Sequence, residues 1–227
     1  MTVPPDIGKL FINNNELGRV NSTVFLGITL CDNLSWQNHI NIITSKINKL
    51  RGILYLTRNN LTKESMRTIY YSLVYSNIIY CNVLWGKSPV AHLKSLEVAH
   101  KKIIRTIMYR GRFDHTNNDF ISLNILKLND INKFVACCFV YKSLNLLSLP
   151  EDYFHFVDDL LHGYNLRNLN QLKLRMPSVN SLQGKSSPSY YACEFWNSLP
   201  LEIKTKPSLY AFKRALKDLI IDSYRML

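Results

Sequence analysis

Adjacent carboxylates are the pairing in this 227-residue chain that comes nearest to a catalyst. Asp158 and Asp159 follow Phe156-Val157, and neighbouring aspartates can hold divalent ions that activate a hydroxyl and steady a leaving group in phosphoryl transfer. Such a site needs strands to aim the carboxylates and another acid to share the metals. No alternating apolar pattern surrounds the pair, no carboxylate partner precedes it, and Asp152 beside it suits a surface turn. The pair is read as loop acidity. Neither a GxSxG elbow nor a GxxxxGK(S/T) phosphate loop occurs. The cysteines (Cys31, Cys81, Cys137, Cys138 and Cys193) are odd in number, form no CxxC and sit in apolar segments, which fits buried thiols in a reducing compartment. The six histidines do not fall at zinc-ligand spacing. The expectation is a chain that is not an enzyme as it stands, with no catalytic residue, metal, cofactor or small-molecule substrate of its own.

What the chain has in excess is positive charge: 28 Lys and Arg against 16 Asp and Glu, a net +12. A surplus of that size favours a polyanionic partner, nucleic acid before anionic membrane. Half of it is concentrated between Lys87 and Arg112, where seven basic residues meet one acid, Glu97. On a helix Lys94, Lys101 and Arg105 project together, with Lys102 further round. A solvated helix normally interleaves both signs, so this face is expected to contact phosphates. Lys46 and Lys49 form a second basic edge on an earlier helix. The opening MTVPPDIGKL lacks the apolar core of a signal peptide. No stretch approaches eighteen uninterrupted apolar residues, so no membrane span and an intracellular location are expected.

The elements that must carry these groups are mainly α-helical. Residues 7–30 predict short strands: Leu10-Phe11-Ile12, a turn at Asn13-Asn14-Asn15, Leu17 to Val20, then Val24 to Ile28 around Gly27. After a turn at Asp32-Asn33, Ser35 is the predicted cap of a long helix with Trp36, Ile40, Ile43, Ile47, Leu50 and Leu54 on one face. That helix should end near Arg58-Asn59-Asn60. A second helix, capped by Thr62, is predicted to run through Met66, Ile69, Tyr70, Leu73, Tyr80 and Leu84 to Gly86. Its tyrosines are read as core rather than as a base-stacking surface. Ser88 as cap and Pro89 at the first helical position open a third, buried along Leu93, Leu96, His100, Ile103 and Ile107. A polar break from His115 to Phe120 precedes an almost wholly apolar, hence central, helix from Asp130 to Leu147, ended by Pro150. Residues 151–189 read as an irregular connection, with Gly184 to Ser189 a mobile loop. An aromatic corner, Phe195 to Pro200, then leads to a terminal helix capped by Ser208, with Leu209, Phe212, Leu216 and Leu219 inward and Lys213, Arg214 and Lys217 nearer solvent.

Four separated phrases carry a resemblance. Phe25-Leu26-Gly27, Leu34-Ser35-Trp36 and His39-Ile40 form the first; Tyr70 to Tyr75, Tyr80 and Trp85-Gly86 the second. His162 to Arg167 is the third, and Phe195 to Pro200 with Leu209 and Phe212-Lys213 the fourth. In order and spacing they resemble the end of the palm, the thumb and the post-thumb region of reverse transcriptases from non-LTR (LINE-type, jockey-like) retrotransposons. Leu166 and Asn77 depart from that pattern, where threonine and proline are usual.

The resemblance implies a mainly α fold: a helical thumb-like bundle with a small N-terminal β-hairpin and an irregular segment before a C-terminal helix. It divides the chain into residual palm strands (1–30), thumb (31–112), post-thumb helices (113–150) and an irregular connection with a C-terminal helical unit (151–227). Phe25, Leu26 and Gly27 would be a primer-grip-like turn, and the thumb would lean on an RNA or RNA/DNA template–primer duplex. The nucleic-acid contacts would be Lys46, Lys49, Lys94, Lys101, Lys102 and Arg105, since sequence-independent grip needs cations on phosphates and no base readout. The family's catalytic Asp-Asp precedes the Leu-Gly turn, whereas Asp158-Asp159 follows it by about 130 residues. Magnesium is therefore expected only with a palm, and a nuclear and cytoplasmic location follows from the family. The alternative is an independent or domesticated helical nucleic-acid-binding protein with no polymerase role.

Overall fold

The computed structural model describes residues 10–146, 153–157 and 172–226. It is mainly helical, with small N-terminal hairpins and an irregular stretch before the last helices, as the pattern of seams and turns predicts. Pro150, Asp152, Asp158-Asp159 and His162 to Arg167, with the expectations placed on them, lie outside the described residues.

Two antiparallel hairpins open the chain, β1 (Phe11–Ile12) with β2 (Asn15–Glu16) and β3 (Ser22–Phe25) with β4 (Ile28–Cys31). The return strand begins at Asn15 instead of Leu17, because Asn13 and Asn14 both take positive φ and complete a two-residue turn by themselves. The second turn, Leu26-Gly27, repeats that geometry at φ 46° and 78°. The left-handed region suits the glycine and costs the leucine about 1–2 kcal/mol.

Helix α1 (Gln37–Thr57) buries Ile40, Ile43, Ile47 and Leu54, the predicted seam, against α5 (Val90–Ile107) and β4. Its cap is shifted by one residue: Trp36 is the boundary residue, and the Ser35 hydroxyl accepts the Gln37 N–H at 3.3 Å. A 3₁₀ turn at Arg58–Asn60 ends it. Thr62 caps α2 (Lys63–Ile69), accepting the Ser65 N–H at 3.1 Å.

Beyond Ile69 the chain departs from one regular helix. Tyr70–Tyr75 is π-helical, followed by α3 (Ser76–Ile79), a left-handed break at Cys81 (φ 47°) and α4 (Asn82–Trp85). Met66, Tyr70, Val74 and Ile78 are buried at steps of four, with Asn82 and Trp85 of α4 buried beyond them, while Leu73, Tyr80 and Leu84 face out. Steps of four drift by about 40° each around an α-helix of 3.6 residues per turn. The wider π turn drifts the other way and keeps these four residues inward. Gly86 closes the segment for want of space. A Cβ there would meet Asn82 Oδ1 and Asn132 Nδ2 at 2.4 Å, where Asn132 bonds Asn82 at 3.2 Å.

Helix α5 buries the predicted Leu93, Leu96, His100, Ile103 and Ile107. Pro89, not Ser88, is its boundary residue, with its carbonyl accepting the His92 N–H; the Ser88 hydroxyl donates back to Trp85 O at 2.6 Å. The expected polar break contains α6 (Asn117–Ser122), fixed by buried Asp119 and Phe120. Helix α7 (Leu128–Leu146) is central as predicted, packing on α3, α4, α9 (Pro188–Asn197) and α11 (Leu209–Ser223). Burial drives the thiols of Cys137 and Cys138 upward, Cys138 to about 12.

The GKSSPS stretch is not a free loop. It ends a short α8 (Leu182–Lys185), capped by Ser181 on the Gly184 N–H at 3.0 Å, and starts α9 at Pro188. In the aromatic corner Trp196 is buried, with Nε1 donating to Leu172 O at 2.9 Å. The Asn197 amide pairs with both Leu174 N and O at 2.8 Å, tying the irregular segment to the helices. After α10 (Leu201–Lys204), Ser208 caps α11 on the Ala211 N–H at 3.2 Å. Phe212, Leu216, Ile220 and Ile221 face inward there, and Leu219 is turned out because 216 to 220 is the step that follows the core. One contiguous cluster of buried side chains runs from Ile40 to Tyr224. No helix among the described residues is long and apolar enough to cross a membrane.

Candidate nucleic-acid interface

The basic run from Lys87 to Arg112 is a stripe in the sequence and a set of local ties in the fold. Lys94 and Lys101 both pair with Glu97, Lys94 at 3.5 Å. The hydrogen bond from Lys101, with both cations beside it, holds the Glu97 carboxyl below its ordinary pKa. Arg105 Nε donates to Asp114 O at 2.9 Å. Arg110 forks onto Asp119 through Nε and Nη2 at 3.1 and 3.0 Å, with that carboxylate almost completely buried. Lys87 lies 5.0 Å from the Phe195 ring centroid and Arg112 5.6 Å from that of Phe113. Of the seven, Lys102 has no such tie among the described residues. Lys101 opens on a cleft of about 380 Å³ shared with Glu97, His115, Lys127 and Asp130.

Lys46 and Lys49 differ. Both are exposed on α1, and neither makes an ion pair among the described residues. Lys46 lines a cleft of about 250 Å³ with Gly27, His39, Ile43, Ser76, Asn77 and Tyr80. The fold thus brings the Leu26-Gly27 turn to the Lys46 side of α1. Tyr80 clamps that turn, its hydroxyl donating to Leu26 O at 2.6 Å, while Leu26 itself is 72% exposed.

His39 is the member of this cleft for which its sequence position assigns no role. It is only 4% exposed, with edge-on ring contacts to Trp36 and Trp85. Its Nδ1 accepts the Thr29 N–H at 3.4 Å, which puts the proton of the neutral ring on Nε2, and Nε2 has no partner among the described residues. Burial, then the Lys46 charge, lowers its pKa, so the ring is neutral at pH 7. A buried N–H without an acceptor costs about 1–3 kcal/mol, and beside an ammonium it favours an anionic oxygen. The signal for it in the sequence is a polar residue interrupting the apolar seam between Trp36 and Ile40.

Of the tyrosines read as core, Tyr70 is buried and bonded to His100 Nε2 at 2.8 Å and Tyr71 donates to Asn124 O at 2.7 Å, while Tyr80 is exposed. No group of three or more His, Cys, Asp or Glu that could hold a metal occurs among the described residues. Comparison with protein-family models, with curated proteins and with solved structures finds no match to this chain.

Proposed function

We propose that this chain is the palm-end, thumb and post-thumb portion of an RNA-directed DNA polymerase of the non-LTR retrotransposon kind, contributing grip on an RNA or RNA/DNA template–primer duplex. The observation that carries the reading is the cleft where Lys46, a strained hairpin turn and His39, whose Nε2 has no partner among the described residues, converge, with Lys49 further along the same helix. Those groups suit phosphate oxygens along a backbone, which is the contact a sequence-independent grip requires.

The hairpins favour this reading over an independent nucleic-acid-binding protein. Leu10, Phe11, Ile12, Val20, Val24 and Phe25 are all exposed, and β3 has no buried residue. Short strands with bare apolar faces and unpaired edges are aggregation-prone unless another surface covers them. A palm would supply that surface, along with the carboxylates and magnesium for the chemistry. The reading carries with it a nuclear and cytoplasmic location.

Two measurements test it. Lys46→Glu with Lys49→Glu should weaken duplex binding and reduce the slope of log affinity against log salt by about two units, one per lost phosphate contact. An unchanged slope removes α1 from the interface. The purified chain given template, primer, nucleotides and magnesium should extend nothing, and robust extension would overturn the fragment reading.

A further inference from the structure

A groove of about 840 Å³ lies on another part of the molecule, walled by the Tyr70–Tyr75 segment with α3 and α4, by α7 and by α11. Its lining combines two chemistries. Tyr71, Tyr75, Phe134, Phe139 and Tyr210 supply aromatic rings, and Lys142, Lys213, Arg214 and Lys217 supply cations against one acid, Asp218. Lys142, Lys213 and Arg214 make no ion pair among the described residues. Phe134 and Tyr210 have no ring partner there, and Tyr210 is 76% exposed.

Two backbone irregularities converge on the same groove. The π-helical turn sets Tyr71 and Tyr75 on its wall, and the left-handed Cys81 forms part of its edge. Outliers of this kind persist where the surroundings impose them and cluster at functional sites. Lys217 couples the two chemistries directly: its ammonium donates to the Tyr71 hydroxyl at 3.0 Å and lies 5.3 Å from the ring centroid.

We infer that this groove binds single-stranded nucleic acid, with the phosphates along the α11 cations and the bases against Phe134, Tyr75 and Tyr210. Rings stack on any base and cations follow any backbone, so the site takes a single strand without reading its sequence. The four-to-one excess of cations in the lining matches a polyanion. Ring faces, in place of a purely aliphatic floor, favour bases over the apolar stripe of an acidic helix. A duplex hides its base faces and cannot use the aromatic wall. The site is separate from the α1 cleft and does not require it.

The test uses the full chain, a fluorescent oligouridine of about 12 nucleotides and an RNA/DNA duplex of equal length. Lys213→Glu with Arg214→Glu should lower oligouridine affinity about tenfold or more and reduce its salt slope by about two units. Tyr210→Ala should lower it roughly fivefold with the slope unchanged. Both should leave duplex affinity within about twofold, and thermal melting followed by circular dichroism confirms that each variant folds. The charge-matched control Lys63→Glu with Lys185→Glu should leave oligouridine binding near the parent value. Unchanged oligouridine binding in both groove variants overturns the inference, as does an equal loss in the control. An acidic amphipathic peptide that binds more tightly than oligouridine and is lost in Tyr210→Ala also overturns it, giving the groove to a protein helix. Lys46→Glu with Lys49→Glu separates the two sites, since it should reduce duplex binding and spare oligouridine.

Discussion

Helices α1 and α5 lie against each other and are built alike: each has an apolar seam, exposed cations and one buried histidine. The fold uses them differently. On α5 the cations other than Lys102 are engaged within the chain, by Glu97 and the Asp114 carbonyl, and Arg110 just beyond the helix is held by buried Asp119. Its His100 is satisfied by the Tyr70 hydroxyl and stacked on that ring. On α1, among the described residues, Lys46 and Lys49 have no acid and His39 Nε2 has no acceptor. Local charge count ranks α5 above α1 as a phosphate surface, while α1 carries two unengaged lysines and the unpartnered donor against the single untied Lys102 of α5. What a cation can offer a ligand depends on what the fold has already bound to it.

The contrast can be broken or sharpened, most strongly through pH. Burial, then the Lys101 charge, pulls His100 down to about 4 from an ordinary 6.5. In the unfolded chain the imidazole takes up its proton near the ordinary value, so between those limits the unfolded state binds more protons. The contribution is fully present above about pH 6.5 and is lost progressively as pH falls toward 4, on the order of 3 kcal/mol in all. Urea unfolding at stepped pH should show this loss, and His100→Phe should flatten it; a parent chain equally stable at pH 7 and 4.5 would contradict the buried neutral ring.

A smaller effect, of opposite sign, is expected on binding. Glu97→Gln frees Lys94 and Lys101 together, so duplex affinity should rise roughly threefold at low salt. If it falls or stays fixed, the two lysines do not face the duplex even when released. The smallest change is expected from Lys94→Gln with Lys101→Gln, which should lower duplex affinity by only about twofold because Glu97 tethers both ammoniums and already offsets one of the two charges. A loss comparable to that from the α1 lysines would restore α5 as the principal phosphate face.

Much of the architecture was legible because periodic burial and capping are local. The α1 and α5 seams, the Thr62 and Ser208 caps and the central place of the apolar α7 all follow from residues within a few turns of each other. The departures arise where distant groups compete. The step-of-four spacing of Met66, Tyr70, Val74 and Ile78 was present in the sequence, but a π turn forms only if packing against α5 and α7 keeps all four inside. Ser88 has the chemistry of a cap and is drawn instead to the Trp85 carbonyl.

The same division holds for the sites. By itself the sequence determined the α1 and α5 helices, the turn at Asn13-Asn14 and the positive surplus, because propensity, φ preference and net charge are properties of residues and near neighbours. Tertiary structure decided which charges are available. It brought Asp119 to Arg110, left Lys46 beside an unpartnered His39, and gathered Lys142 from α7 with Lys213 and Arg214 from α11 around one aromatic groove. Charge and hydrogen-bond complementarity act through space over a few ångströms, and chain distance does not encode which residues will stand that close.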